Sequence, residues 1–337
     1  MQSANGVEAT AFTPFVAYGH ARVCSPLFFE FCILHFELPR VMFRPVHPRR
    51  RFTVPLPGGR SLALGDRTLI MGIVNVTPDS FSDGGALMDS QQAVDAALRM
   101  VEDGADVIDV GGESTRPGAE ALGDAEERRR VLPVIEALAG RVPVPISVDT
   151  YKASVADAAL GAGASLVNDV SGLRYEAGLA DVAARYGAPI VLMHMRGRSR
   201  DMYTQAVYHD VVDEVLDELR ESIAFATAAG ISKDRVLVDP GLGFAKEPAH
   251  TYEALARLHE FSDLGYPVVA GPSRKGFLTR PLGRDVAARE RDWATAAAVS
   301  AAVLNGAHVV RVHAVREMTQ VVRVSDEIRK YHRGNRV

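Results

Sequence analysis

Eight short apolar runs in this chain each lead into residues that can do chemistry. The runs are 69–74, 106–110, 144–148, 165–167, 189–193, 236–238, 267–270 and 307–310. They deliver, in order, Asn75, Asp109, Asp149, Asn168-Asp169, Met193-His194, Asp239, Ser273-Arg274-Lys275, and Arg311 with His313. A single polar residue after such a run reads as the N-cap of a following helix. Eight in succession exceed that explanation, because Lys, Arg and Met do not cap. Asp149, Asn168 and Asp239 supply acceptors and donors, with Lys275 opposite them. That set suits a flat heterocycle rich in ring N–H and amino groups. Met193 suits the face of such a ring and equally suits a protein core. Arg311, His313 and Asn75 form a second group, in which Arg and protonated His suit an anion. A heterocyclic end beside an anionic end points to a heterocyclic phosphate ester.

Two loops add to this. TPDSFSDGG follows the first run at 77–85, and GGESTRPG follows the second at 111–118. Both are rich in Gly, Pro and small polar residues, which serve ordinary turns and also mobile backbone that presents N–H groups. Asp79, Asp83 and Arg116 exceed what a turn requires, so the loops are read as closing lids. An acid there would help hold Mg²⁺ beside a diphosphate, although a complete set of oxygen ligands cannot be counted from sequence.

The elements that must position these residues follow from periodicity. Between most of the runs lie stretches of helical spacing, at 93–102, 125–138, 155–162, 176–186, 211–229, 252–261, 293–304 and 315–330. Val, Ile and Leu without polar alternation suit strands buried on both faces, as in a parallel sheet. Eight strands, each followed by a helix, make one (β/α)₈ barrel, in which chemistry sits at the C-terminal strand ends and phosphate often lies near the last strands. A doubly wound sheet is the alternative, but the first strand is not followed by a Gly-rich dinucleotide fingerprint. Upstream, residues 52–64 alternate around Pro57-Gly58-Gly59 as a β-hairpin. Segment 1–51 reads as an extension. Its first forty residues lack period and caps, and Arg40, Arg44, Arg49, Arg50 and Arg51 follow with no acid between them, as in a solvated tether. The extension is expected to be disordered, or to lie partly before a true start at Met42.

Composition narrows the class. The 337 residues are 47% hydrophobic and 24% charged, which excludes a disordered, collagenous or coiled-coil chain. A net charge of −4 offers no footprint for nucleic acid or an anionic membrane. No apolar run is long enough to span a bilayer, and no secretory signal is evident. Cys24 and Cys32 are the only cysteines, so neither a disulfide framework nor a Cys-ligated metal serves the barrel. A cytoplasmic enzyme is expected.

The segments MGIVNVTPDSFSDGG at 71–85, GGESTRPG at 111–118, SVDT at 147–150, VNDVSG at 167–172, LMHM at 192–195, DPGLGF at 239–244, SRK at 273–275 and RVH at 311–313 together resemble the dihydropteroate synthase family of folate biosynthesis. The resemblance runs from about residue 67 to 315. It implies a TIM barrel that joins 4-aminobenzoate to 6-hydroxymethyl-7,8-dihydropterin diphosphate, releasing 7,8-dihydropteroate and diphosphate. It implies that Asp149, Asn168, Asp239 and Lys275 hold the pterin, with Met193 and Arg311 packed against its ring. Asn75, His313 and Arg311 would bind the diphosphate with Mg²⁺, Asn75 as a metal ligand. Thr115, Pro117, Phe81, Phe244 and Ser273 would line the aminobenzoate pocket, and Asp83 and Arg116 would act from the closing loops. C–O cleavage ahead of amine attack leaves a pterin cation, which suits a site without Cys or an activated Ser.

Two positions depart from the family pattern: Gly276, where relatives often carry Ser or Arg, and Thr251, where Asn is frequent. Backbone N–H groups at the next helix start would replace a side chain at Gly276. Two other readings are weighed. A pterin-dependent methyltransferase barrel would have little use for the SRK and RVH segments as an anion site. A catalytically silent pterin-binding paralogue would be expected to lose loop or anion residues, yet Asn75, Asp83, Thr115, Arg116, Lys275, Arg311 and His313 are present. Extra apolar positions at 294–303 and 315–328 suit either tight packing or a homodimer face. If 1–41 lies apart from the barrel, a chain beginning at residue 42 should match the full chain in steady-state rate; a large loss would show that the extension belongs to the fold.

Overall fold

The structure, a computed structural model, describes residues 46–77, 86–116 and 118–331, the side chains of 86–89 excepted. Residues 1–45, with the greater part of the expected extension, lie outside it. A hairpin of β1 (Phe52–Pro55) and β2 (Ser61–Leu64) opens the fold, paired antiparallel from Phe52↔Leu64 to Pro55↔Ser61. Gly58, at φ 76°, turns the chain between them. Eight parallel strands follow: β3 (Leu69–Asn75), β4 (Val107–Gly111), β5 (Ile146–Asp149), β6 (Leu166–Asp169), β7 (Ile190–Met193), β8 (Val236–Asp239), β9 (Val269–Ala270) and β10 (Val309–Val312). Their order is β8-β7-β6-β5-β4-β3-β10-β9, and a parallel bridge between Val238 and Val268 joins the two ends. The ring is the expected (β/α)₈ barrel.

The helices are α1 (Ala86–Glu102), α2 (Asp124–Leu138), α3 (Ala153–Gly161), α4 (Gly178–Tyr186), α5 (Val211–Ala228), α6 (Pro248–Ala256), α7 (Asp292–Leu304) and α8 (Val315–Lys330). The helices depart from the sequence reading most at α1, which starts seven residues before Ala93, and at α6, which starts four residues before Tyr252. Pro248 occupies its first turn, where the missing N–H costs nothing, and a 3₁₀ segment takes over at Leu258–Leu264. Among the described residues no helix is long and apolar enough to cross a membrane.

Two cores divide the strand residues by parity. Leu69, Met71, Val107, Leu166, Val191, Leu237, Val269 and Val309 cluster inside the barrel with Val54, Leu56, Leu62 and Leu64 of the hairpin. The hairpin therefore plugs the N-terminal end. The alternate residues, among them Ile70, Ile108, Val148, Val167, Ile190 and Val310, pack outward against the helices. Strands sandwiched between two apolar layers have to be apolar throughout, which is why their sequence shows no alternation.

The solvated tether expected for the basic run does not hold at Arg49. Its side chain is 1% exposed and pairs through Nη2 with Asp326 on α8 at 2.6 Å. Arg49 also donates to the Ala307 carbonyl at 2.7 Å, and Asp326 accepts the Thr68 backbone N–H at 2.6 Å. The Arg50 carbonyl lies 3.1 Å from His308 Nε2, and the His47 N–H donates to Leu304. Residues 46–51 are thus packed onto the barrel. Replacing Asp326 with Ala would strand a buried guanidinium, so urea unfolding should show a loss of about 3 kcal/mol; a change below about 1 kcal/mol would mean that the cluster contributes little.

Candidate active site

The parity that sorts the two cores also selects the site. Steps of two from the inner apolar residue of each strand lead from Leu69 to Asn75, from Val107 to Asp109, from Leu166 to Asn168 and from Val191 to Met193. They lead likewise from Leu237 to Asp239, from Val269 to Ser273, and from Val309 to Arg311 and His313. On β5, Ser147 stands level with Asp109, and Asp149 level with Gly111. Each strand thus brings a residue to the rim as expected, but of the residues read at the strand ends Asp169, His194 and Arg274 are one step out of phase and turn away. Asp169 accepts from the Ser171 and Leu173 N–H groups at 2.8 and 2.6 Å and shapes the turn in which Leu173 has φ 67°. His194 is wedged between Glu218 of α5, 3.1 Å from Nε2, and Lys246, 2.8 Å from Nδ1. Arg274 also points away: it grips Asp292 at 2.7 and 2.8 Å, while its N–H donates to Thr295. Its φ of 58° makes a tight turn that leaves Ser273 and Lys275 on the barrel side.

Arg311 occupies the middle of the rim. Its Nε donates to Asp109 at 2.6 Å and its Nη2 to Asp149 at 2.5 Å. Asn168 Nδ2 donates to the same Asp109 oxygen at 3.0 Å. Burial works against the charge on Arg311, but Asp109 and Asp149 outweigh it and hold the pKa above the usual arginine value. Burial pushes the Asp149 carboxyl up to about 7, opposed by Arg311 and assisted by Asp109.

Two glycines keep the middle open. A Cβ on Gly271 would stand 3.7 Å from Arg311 Cβ and 3.9 Å from both Asp239 Oδ2 and Lys275 Nζ. Those three side chains therefore converge on one place. A Cβ on Gly111 would press on Asp149 at 3.3 Å. Asp239 is braced by the Gly241 N–H at 2.7 Å, and burial raises its pKa against the pull of Lys275. Lys275 donates to the Leu242 carbonyl at 2.5 Å and sits 4.1 Å over the Phe244 ring. Burial lowers its ammonium to about 7 despite Asp239. Met193 joins Met195, Met202 and Ala245, with Tyr151, Tyr175 and Phe244 at the edge.

His313 meets Ser273, whose Oγ accepts the His313 backbone N–H at 3.2 Å and lies 2.9 Å from Nδ1. Burial, with Arg274, Arg311 and Arg116 nearby, brings the imidazole down to about 3. An imidazole lowered this far carries no charge near pH 7, whereas the sequence reading allows a protonated His here. A Ser273 hydroxyl that accepts from the main chain completes its bonding by donating to Nδ1, leaving the ring proton on Nε2.

At the rim, Asn75 and Thr115 are half-buried, Arg116 is exposed and Gly276 faces open space. Asp79, Phe81, Asp83 and Pro117 lie outside the described residues. The base of the β4–α2 loop is fixed by Glu113, which accepts from Tyr151 at 2.9 Å, Lys152 at 2.5 Å and the Leu122 N–H at 3.1 Å. Its far side is tied by the Gly118 N–H to the Ser199 carbonyl at 2.9 Å. From sequence, Asp109 is a strand-end residue without an assigned role, and Glu113 and Lys246 are not singled out. Parity from Val107 was the available signal for Asp109; the other two are fixed by partners distant in sequence.

Fold and rim together define a (β/α)₈-barrel enzyme with its polar site at the C-terminal ends of the strands. Residues 71–313 match the family described as pterin binding enzyme. The chain is 45% identical over 266 residues to the dihydropteroate synthase of Bacillus subtilis, covering 79% of this chain and 90% of that protein. The Xanthomonas albilineans dihydropteroate synthase solved with 4-aminobenzoic acid superposes with a TM-score of 0.76 at 46% identity, covering 82% of this chain and 98% of that one. The same species' enzyme in complex with 7,8-dihydropteroate gives 0.73 at 43% identity, covering 81% and 98%. The chain belongs to the dihydropteroate synthase family of pterin-binding enzymes.

Proposed function

We propose that this chain condenses 6-hydroxymethyl-7,8-dihydropterin diphosphate with 4-aminobenzoate, giving 7,8-dihydropteroate and diphosphate. The observation that carries the reading is the convergence of Asp239, Lys275 and Arg311 on one place, with Asp149 and Asn168 joined to the same group through Arg311 and Asp109. The relatives solved with 4-aminobenzoic acid and 7,8-dihydropteroate support the choice of substrates. Asp149, Asn168 and Asp239 accept from the ring, Lys275 donates to it, and Met193 and Arg311 flank its faces. Thr115, Phe244 and Ser273 serve the amine's pocket in this reading, with Arg116 at its rim.

The C–O bond to the diphosphate breaks first, and the electron pair leaves with the phosphate oxygen. Asp149 and Asp239 face the positive charge left on the pterin. The amine lone pair then forms the C–N bond, and the nitrogen gives up its proton to solvent. Arg311 supplies charge to the leaving group and His313 a neutral N–H donor. Mg²⁺ fits this arrangement as a cation held largely by substrate. Among the described residues no three His, Cys, Asp or Glu side chains could cage a metal, whereas Asn75 offers an uncharged amide oxygen at the rim. The ion would neutralise phosphate charge. The chain acts as a cytoplasmic homodimer in this reading: Val324, Ile328 and Tyr331 form an exposed stripe along α8, and Trp293 at the start of α7 is 90% exposed.

Mixing the protein with the pterin diphosphate, 4-aminobenzoate and Mg²⁺ should release diphosphate only in step with dihydropteroate. Diphosphate binding without product would favour a silent paralogue. Asp149→Asn should keep the fold and cut turnover by at least ~10²-fold; near-normal turnover would remove that role. In the free protein the Asp149 carboxyl ionises at about 7, so kcat/KM for the pterin substrate should fall as pH drops below that value. The same fall in Asp149→Asn would assign it to another group.

A further inference from the structure

Asp109 makes none of the substrate contacts proposed above, yet it is fully buried at the centre of the site. One of its oxygens, Oδ2, accepts from both Arg311 Nε at 2.6 Å and Asn168 Nδ2 at 3.0 Å. The other, Oδ1, is buried without a hydrogen-bond partner among the described residues, as is Oγ of Ser147, its neighbour in register on β5. A carboxylate serving only as a wall anchor would be expected to use both oxygens, since unsatisfied buried acceptors are uncommon.

Each donor on Asp109 also faces the ligand space. An ionised carboxylate only accepts, so the Asn168 amide must direct its N–H₂ toward Asp109. Its carbonyl is then the end left for a donor on the ligand. Arg311 is held at Nε by Asp109 and at Nη2 by Asp149. Asp149 cannot keep that Arg bond and also offer all its acceptor capacity to a ring N–H. If it turns to the ring, Nη2 needs a new acceptor. Nε and Nη2 of one guanidinium form a side-on fork that matches the two oxygens of a single carboxylate. Asp109 already holds Nε and has the second oxygen free.

We propose that Asp109 is a positioning residue with two tasks: it orients Asn168 as an acceptor toward the pterin ring, and it receives Arg311 as a two-bonded fork when Asp149 passes from Arg311 to that ring. This rests on the pterin reading of the site. Arg311 then has two states, bridging Asp109 and Asp149 as in this structure and forked on Asp109 with the pterin bound.

The decisive experiment pairs a complex structure with a titration. A crystal structure of the unaltered protein with 6-hydroxymethylpterin should show Nε and Nη2 of Arg311 both on Asp109 and Asn168 Nδ2 still on that carboxylate. Arg311 still bridging to Asp149, or a reversed Asn168 amide, would overturn the proposal without any variant. In calorimetry, Asp109→Asn should bind the same pterin at least about tenfold more weakly than the unaltered protein, a loss of about 1.4 kcal/mol. A pH series adds a readout that loss of packing would not move. The charged groups that act on Asp149 are Arg311 from β10, Asp109 from β4, Glu127 from α2, Asp169 from β6 and Lys275 beyond β9. Removing the Asp109 charge removes one that opposes ionisation of Asp149, so the acid limb of pterin binding should move to lower pH. Equal affinity and an unmoved limb in Asp109→Asn overturn the proposal alone; no pterin binding by the unaltered protein overturns the functional reading with it.

Discussion

A β-strand shows its side chains to alternate faces, and closing eight strands into a ring makes that alternation a rule about the barrel's contents. Every second residue must fill the interior, and the remainder must meet the helices. Leu69, Val107, Leu166, Val191, Leu237 and Val309 obey the rule with apolar side chains beside the hairpin. Two or more residues later the same phase carries Asp109, Asn168, Met193, Asp239 and Arg311. The site is the upper layer of the core, written in polar residues. Its precision comes from the sheet hydrogen bonds that fix the strand ends.

That layer concentrates opposing charges where water is scarce. Asp109, Asp149 and Asp239 are set against Arg311 and Lys275 within the barrel mouth. Burial raises the carboxyls of Asp149 and Asp239 and lowers the ammonium of Lys275, so these groups sit closer to neutrality than they would in water. A heterocycle with donors and acceptors along its edge can redistribute hydrogen bonds among them with little change in net charge. The neutral His313 extends the same economy to the anionic end, where Arg311 remains the fixed cation.

Much of this was legible in the sequence, and the failures have identifiable physical origins. The apolar runs marked the strands because a strand buried on both faces tolerates little else. The same property hid which of two consecutive polar residues faces inward. Nothing local separates Asn168 from Asp169 or Met193 from His194; the phase must be carried from the inner core, which becomes recognisable only once the hairpin is seen to plug it. Partnerships across the barrel are equally invisible locally: Arg311 finds Asp109 across 202 positions. Arg49 belongs to a stretch that resembles a solvated tail because its counter-charge, Asp326, arrives 277 residues later. The loops at 77–85 and 111–118 announced themselves by composition, whereas the buried Glu113 that fixes one of them looks in sequence like any exposed acid.

The hairpin has a further consequence. Val54, Leu56, Leu62 and Leu64 cover the inner apolar layer at the N-terminal mouth, so the polar layer of the interior opens only at the C-terminal rim. Whatever settles against Asp239 and Asn168 therefore lies beneath anything that follows it through the rim. Four apolar side chains at the end remote from the chemistry thus leave the molecule a single polar face at which that chemistry can be reached.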